Sequence, residues 1–195
     1  MKGPPFPRQA LLWLAGVRIL LGIVAIPLAP FLYKEHFLVL VLLRPTKEVL
    51  LAAGFLARRG EINLLEILIA AVPLMLLGVW QFYYLGRMYS SEIRSGKDMP
   101  NLAKRLLPQE KIKKMQKVLK KKGNRVVFLG RLAAFPSALI GAAAGASNVR
   151  SRKFFPADGV GALLSIAEVV GAGYILGETY DKSKPWITLA GVAVL

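Results

Sequence analysis

Three apolar runs, residues 9–33, 62–86 and 152–177, set the limits on what this chain can fold into. Roughly 20 apolar residues in succession are enough to cross the hydrocarbon of a bilayer, so each run predicts a membrane span. The second would be about 37 Å long as a helix rising ~1.5 Å per residue, which allows it to cross with tilt. The rest of the composition agrees. Net charge +16, from 27 Lys+Arg against 11 Asp+Glu, sits beside 55% hydrophobic residues. These facts conflict in one soluble core and fit a protein whose apolar residues lie in spans and whose basic residues lie in loops. The first run, interrupted only by Arg18 and two prolines, is too long for a cleaved signal peptide and ends in no small-residue cleavage site. A polar turn over 178–184 precedes residues 185–195, which open a fourth span and predict that the chain continues past Leu195.

Two further apolar segments are too broken to cross. Residues 37–57 are interrupted at Arg44-Pro45, and 126–147 at Pro136, Gly141 and Gly145. Broken segments at membrane depth survive only where protein or a water-filled cavity covers their freed backbone groups, so both read as re-entrant hairpins. The expected fold is an all-α integral membrane domain with about four spans and two re-entrant hairpins.

Residues 87–125 hold 13 Lys/Arg and 3 Asp/Glu, which by the positive-inside rule makes this loop cytoplasmic. The N-terminus, two spans away, is then cytoplasmic as well, and Lys34 to His36 and the 178–184 turn lie outside. Within the loop, Ile112, Met115, Val118 and Leu119 share one helical face and lysines fill the other. Such a helix is expected to lie on an anionic leaflet. With Tyr89 its only aromatic and a span on either side, the loop is read as a membrane-surface element and not as a nucleic-acid binder.

Sliding the sequence by 91 positions places Ala53-Gly54 on Ala144-Gly145, Tyr83 on Tyr174, and Leu85-Gly86 on Leu176-Gly177. Each half then reads as broken hairpin, polar turn and long span. With the orientation above, the two halves run in opposite directions, and such an inverted repeat with broken segments near the midplane is a transporter signature.

These residues resemble the DedA family of bacterial membrane proteins, whose domain is also called VTT. The resemblance covers about residues 45–177. In the first half it rests on Pro45-x-x-Glu48, Ala53-Gly54 and Tyr83-x-x-Gly86-Arg87. In the second half it rests on Gly123, Phe128-Leu-Gly130-Arg131, Ala144-Gly145, Phe154, Gly161 and Gly173-Tyr174-x-x-Gly177. It implies two opposed re-entrant hairpins and a proton-coupled or scramblase-like role in moving lipids, with undecaprenyl phosphate recycling in bacterial members. The chain departs from the family pattern at Val79, where many members carry an acid. It departs also at Ala134 and Ser137, where the pattern has a proline and a second arginine, and at Ser165, where an aromatic is often found.

An ionisable side chain at membrane depth is costly and so marks a candidate site. Glu48 and Arg131 each lie in a broken segment, and the inverted repeat would oppose them, Arg131 holding a lipid phosphate and Glu48 taking a proton or competing for Arg131. Glu168, mid-way along the third run, is a candidate second protonation site, with Asp158 about three turns before it. Lys47 and Arg44 flank Glu48 and are placed to recruit an anionic head group or to snorkel. Ser137 enters as the second-arginine position. Arg18 is expected to snorkel or to meet a lipid phosphate facing the bilayer.

The expected function is a flippase or scramblase in the cytoplasmic membrane, moving a polyprenyl phosphate or anionic phospholipid with protons as a coupling ion. An ion or proton channel and a non-transporting lipid-binding scaffold are the alternatives. No enzyme activity, cofactor, metal or nucleic acid is expected. With no cysteine and one histidine, His36, thiolate and zinc-cluster chemistry is excluded. A homo-oligomer is left open.

Overall fold

The computed structural model describes residues 7–194 apart from 97, 124 and 134, with side chains through 177. All regular structure among the described residues is helical. Three segments are long and apolar enough to cross a membrane: α1 (Arg8–Glu35), α4 (Leu64–Met88) and the Ser151–Gly177 portion of α10 (Ser151–Val194). Helix α1 turns Leu20, Ile23, Phe31 and Trp13 outward, Trp13 with 71% of its surface exposed. Outward apolar side chains of this size are solvated by lipid and penalised by water.

Both broken segments form pairs of short helices. Helices α2 (Phe37–Leu43) and α3 (Lys47–Arg58) part where Pro45 removes a backbone N–H and forces Arg44 out of the helical region, to φ −142°. In the second segment, α9 (Ser137–Ala146) begins directly after Pro136, which separates it from α8 (Arg125–Leu132). The basic stretch between α4 and α8 folds into α5 (Ser90–Ser95), α6 (Asn101–Leu106) and α7 (Gln109–Lys122). Glycines at positive φ, Gly96 at 74° and Gly123 at 63°, follow α5 and α7.

Two expectations are corrected. Helix α7 does not use its apolar face for a leaflet. Ile112, Met115 and Leu119 are buried in the protein's own core with Leu107 and Ile140, and only Val118 and the lysine side face outward. The 178–184 segment is not a turn, because the α10 backbone runs unbroken to Val194.

The chain divides into two compact units. The first contains residues up to Pro27 and Val72–Ser165; the second contains Leu28–Ala71 and Ile166 onward. In the first, Tyr83 stacks on Phe154 at 4.8 Å between ring centres, and α9 packs so tightly on α4 that side chains are excluded at the contact. A Cβ at Gly145 would overlap the Tyr83 carbonyl and one at Gly86 the Ala142 carbonyl. In the second, a Cβ at Gly54 would overlap the Val170 carbonyl and one at Gly173 the Leu51 carbonyl. The two sets of contacts correspond, but not at a single offset. The hairpin residues (54 and 145, 51 and 142) are 91 apart, whereas the long-helix residues (83 and 170, 86 and 173) are 87 apart. The first residues of α4 and α10, Leu64 and Ser151, also differ by 87. The counterpart of Tyr174 is therefore Arg87, not Tyr83. A slip of four residues is close to one turn, so the inward face is preserved.

Candidate functional site

The polar centre of the first unit is an ion pair. Arg131 lies in the last turn of α8 with its stem against the bare backbone of Gly161, where a Cβ would stand 3.2 Å from its Cβ and Cγ. Its Nε donates to Asp158 Oδ1 at 2.8 Å and its Nη2 to Oδ2 at 3.0 Å. The two side chains are only 3% and 2% exposed. Such a pair gains little net stability from its attraction, since desolvating both ions costs nearly as much. Losing one partner is a different matter, because a bare charge remains inside.

Four residues before Asp158 on α10, Phe154 belongs to an aromatic cluster. Tyr83 lies against Phe154, donates its hydroxyl to the Val149 carbonyl at 2.5 Å and accepts from Arg87 Nη1 at 3.2 Å. Val79, where a family member often carries an acid, is buried in this core, and its carbonyl faces Gly141.

The Arg18 guanidinium lies on Gly78 of α4, where any Cβ would overlap it.

The sequence candidates divide between the units. Arg131 and Ser137, the half-buried first residue of α9, belong to the first. Arg44, Lys47, Glu48 and Glu168 belong to the second. Glu48 and Lys47 are exposed at the start of α3, with Arg44 at the preceding break. The Glu48 carboxyl is held below its ordinary pKa by its own backbone N–H and the Thr46 hydroxyl, with smaller help from Arg44 and Lys47. Glu168 is exposed on α10. The sequence reading opposed Glu48 to Arg131 across the repeat; within its own unit Arg131 makes its two-point contact with Asp158. No spacing rule points to it, because the two residues lie 27 positions apart on different helices. The available signal was that Asp158 is an ionisable residue inside an apolar run. Among the described residues there is no group of three His, Asp or Glu side chains able to hold a metal ion.

A family model described as the VTT domain matches residues 45–175. An alkaline phosphatase-like protein of Lactococcus lactis subsp. cremoris is 28% identical over 138 residues, 70% of this chain and 64% of that one. A protein of the same name from Lactococcus lactis subsp. lactis matches to the same extent. An uncharacterized membrane protein of Synechocystis sp. is 29% identical over 148 residues, 74% of this chain and 65% of its own length. The chain thus spans just under two thirds of these relatives. No solved structure matches it significantly.

Proposed function

The chain belongs to the VTT-domain (DedA) family of membrane proteins, and on that premise we propose that it moves a phosphate-headed lipid, a polyprenyl phosphate or an anionic phospholipid, across the cytoplasmic membrane. The observation that carries this reading is the buried two-point contact of Arg131 with Asp158. A guanidinium fork fits two oxygens of a phosphate as well as two of a carboxylate. Asp158 then occupies the place that the phosphate takes, and the pair opens when phosphate competes or when Asp158 accepts a proton. The second route couples transport to protons. In this reading the α2–α3 and α8–α9 pairs re-enter the bilayer from opposite faces, and the N-terminus and the 87–125 segment face the cytoplasm. Arg8 supports a shared side for these two, since it donates to the Met88 carbonyl at 3.1 Å and pairs with Glu92 at 3.3 Å.

The test is movement of a labelled phosphate-headed lipid in proteoliposomes. Arg131→Ala is expected to abolish it and Arg131→Lys to keep a fraction, since lysine retains the charge without the fork. Asp158→Asn is expected to remove pH dependence. Wild-type rates from folded Arg131→Ala would overturn the assignment. Release of inorganic phosphate from the lipid would instead indicate a phosphatase, and collapse of a pH gradient without lipid movement a channel.

A further inference from the structure

We propose that the groove between α7, α8 and α9 seats one acyl chain of an anionic phospholipid, with the lipid's phosphate at the basic end where α7 gives way to α8. The groove has a volume of about 240 Å³. Met115 and Ile140 form its buried floor, and Gly130 lets Ile140 sink against α8, since a Cβ there would overlap the tip of the Ile140 side chain. Its walls are Val118, Leu129 and Phe135, which are 41%, 54% and 55% exposed. Open apolar side chains grouped in this way are penalised by water and covered by hydrocarbon in a membrane protein. Val126, Leu129 and Ala133 follow one another about a turn apart, and the Ala133 amide donates to the Leu129 carbonyl at 2.8 Å, so the apolar wall along α8 runs for ~10 Å.

The two ends of the groove differ. Lys122, the last residue of α7, lines one end with Val126, and the exposed Lys121 and Arg125 are close to it in the chain. Ala133 and Phe135 line the other end and bring no polar side chain. None of the three cations has an ion-pair partner among the described residues, and no Asp or Glu occurs in the sequence between Glu110 and Asp158. A phospholipid with an anionic head has the matching polarity, charge at one end and hydrocarbon at the other. A second copy of this chain is the competing occupant, but a symmetric pairing would bring the same basic end against itself. Arg131 and Asp158 do not line the groove, so the site is additional to the phosphate contact proposed above and does not rest on it.

The full chain in dodecyl maltoside is titrated with dioleoyl phosphatidylglycerol and with dioleoyl phosphatidylcholine, which has the same tails and no net charge. A third titration uses glycerol 3-phosphate, which has the charge and no tails. Native mass spectrometry counts the lipid retained per protein, and the melting temperature reports stabilisation by what is bound. Wild type is expected to retain a single phosphatidylglycerol saturably, to bind phosphatidylcholine about 10- to 100-fold more weakly, and to ignore glycerol 3-phosphate. Ala133→Trp, at an exposed wall position, fills the groove and should weaken phosphatidylglycerol binding at least about tenfold while melting near the wild-type temperature without lipid. Leu129→Gln, also exposed, puts a carboxamide against the chain and should weaken it about tenfold, which carries the test should Ala133→Trp fail to fold. Replacing Lys121, Lys122 and Arg125 together by Gln should reduce phosphatidylglycerol to the affinity of phosphatidylcholine.

Equal affinity of wild type for the two lipids would overturn the site. So would phosphatidylglycerol binding unchanged by the wall substitutions, or glycerol 3-phosphate bound as tightly as phosphatidylglycerol. A wild-type dimer that retains no lipid and that Ala133→Trp dissociates would give the groove to a second copy and overturn it as well. Phosphatidylglycerol retained through these residues by a protein that moves no lipid would sink the transport reading and leave the groove standing.

Discussion

The two units share a packing device and differ in what surrounds it. In each, a glycine of the second hairpin helix, Gly145 or Gly54, sits on the carbonyl of a long helix, and a glycine of that long helix, Gly86 or Gly173, sits on a carbonyl of the hairpin. Applying the hairpin and long-helix offsets to the ion pair gives the second unit's counterparts of Arg131 and Asp158. They are Leu40 and Ala71, both apolar, 3% and 0% exposed. The backbone contacts are duplicated and the charge is not. The second unit instead holds an apolar groove of about 410 Å³ lined by Ile67, Leu68, Ile166, Val170 and Tyr174, which is room for hydrocarbon. Tyr174 also faces Arg58, whose guanidinium carbon lies 5.3 Å from the ring centre. Close helix packing therefore accounts for the small residues in both units, while the buried Arg131–Asp158 pair belongs to the first.

This contrast is most open to attack at the ion pair. Asp158→Ala should destabilise the protein by about 3–5 kcal/mol, because Arg131 is left buried and bare, while Arg131→Met with Asp158→Leu should regain most of that loss. Leu40→Met, at the apolar counterpart, should cost under ~1.5 kcal/mol. Unfolding in detergent measures all three, and a double mutant no better than Asp158→Ala would show that the pair does more than balance charge.

Next in size is α7, which exists only in the first unit. Ile112→Ala should cost about 2–5 kcal/mol through the cavity it leaves, whereas Lys114→Gln and Lys117→Gln on the outer side should stay within about 0.5 kcal/mol. Equal small effects at both places would return α7 to a surface role.

The glycines test the correspondence itself. Gly145→Ala and Gly54→Ala should each cost about 1–3 kcal/mol, since the added methyl meets backbone that cannot swing aside. If thermal unfolding finds one of the two neutral, the equivalence of the units is broken.

The smallest effect is acidic. Glu92 in the first unit is held below its ordinary pKa, first by the Ser91 hydroxyl and then, with smaller weight, by its own backbone N–H and Arg8. Its contribution is therefore present above the unfolded value of about 4.3 and is lost as pH falls through the lower folded one. The Arg8 side of the Arg8–Glu92 pair is solvent-exposed and Glu92 is half-buried, so the gain is at most ~1 kcal/mol and should shrink with salt. A stability profile from pH 6 to 3 should be flatter for Glu92→Gln than for wild type.

Much of the architecture was legible in the sequence because its signals are local. Long apolar runs mark α1, α4 and α10, and Arg44-Pro45 and Pro136 mark the breaks, since proline acts on its immediate neighbours. What was not legible depends on contact between distant segments. Periodicity correctly showed that Ile112, Met115 and Leu119 share a face, but an apolar face looks the same whether lipid or protein covers it. Asp158 was visible as a charge in an apolar run, while its partner is set by how α8 meets α10. Arg18 looked free to reach the surface because nothing local reveals that Gly78 leaves room beside it. The repeat was visible at 91 in the hairpins, and the one-turn slip in the long helices emerges only from which carbonyl each glycine touches.

The pairing of each hairpin with a remote long helix also fixes an order in time. The first unit joins residues such as Tyr83 and Val149, 66 positions apart, but the second must join Arg58 to Tyr174 across 116. At ~5–20 residues per second of synthesis, the α2–α3 hairpin waits on the order of ten seconds before its packing partner has been made. Throughout that interval Gly54 and the Leu51 carbonyl present bare backbone to whatever insertion machinery is at hand. A nascent chain halted before Ile166 would hold a first unit whose segments are all present and a second that lacks its closing helix. The second unit is thus closed only once its long helix has followed the whole of the first.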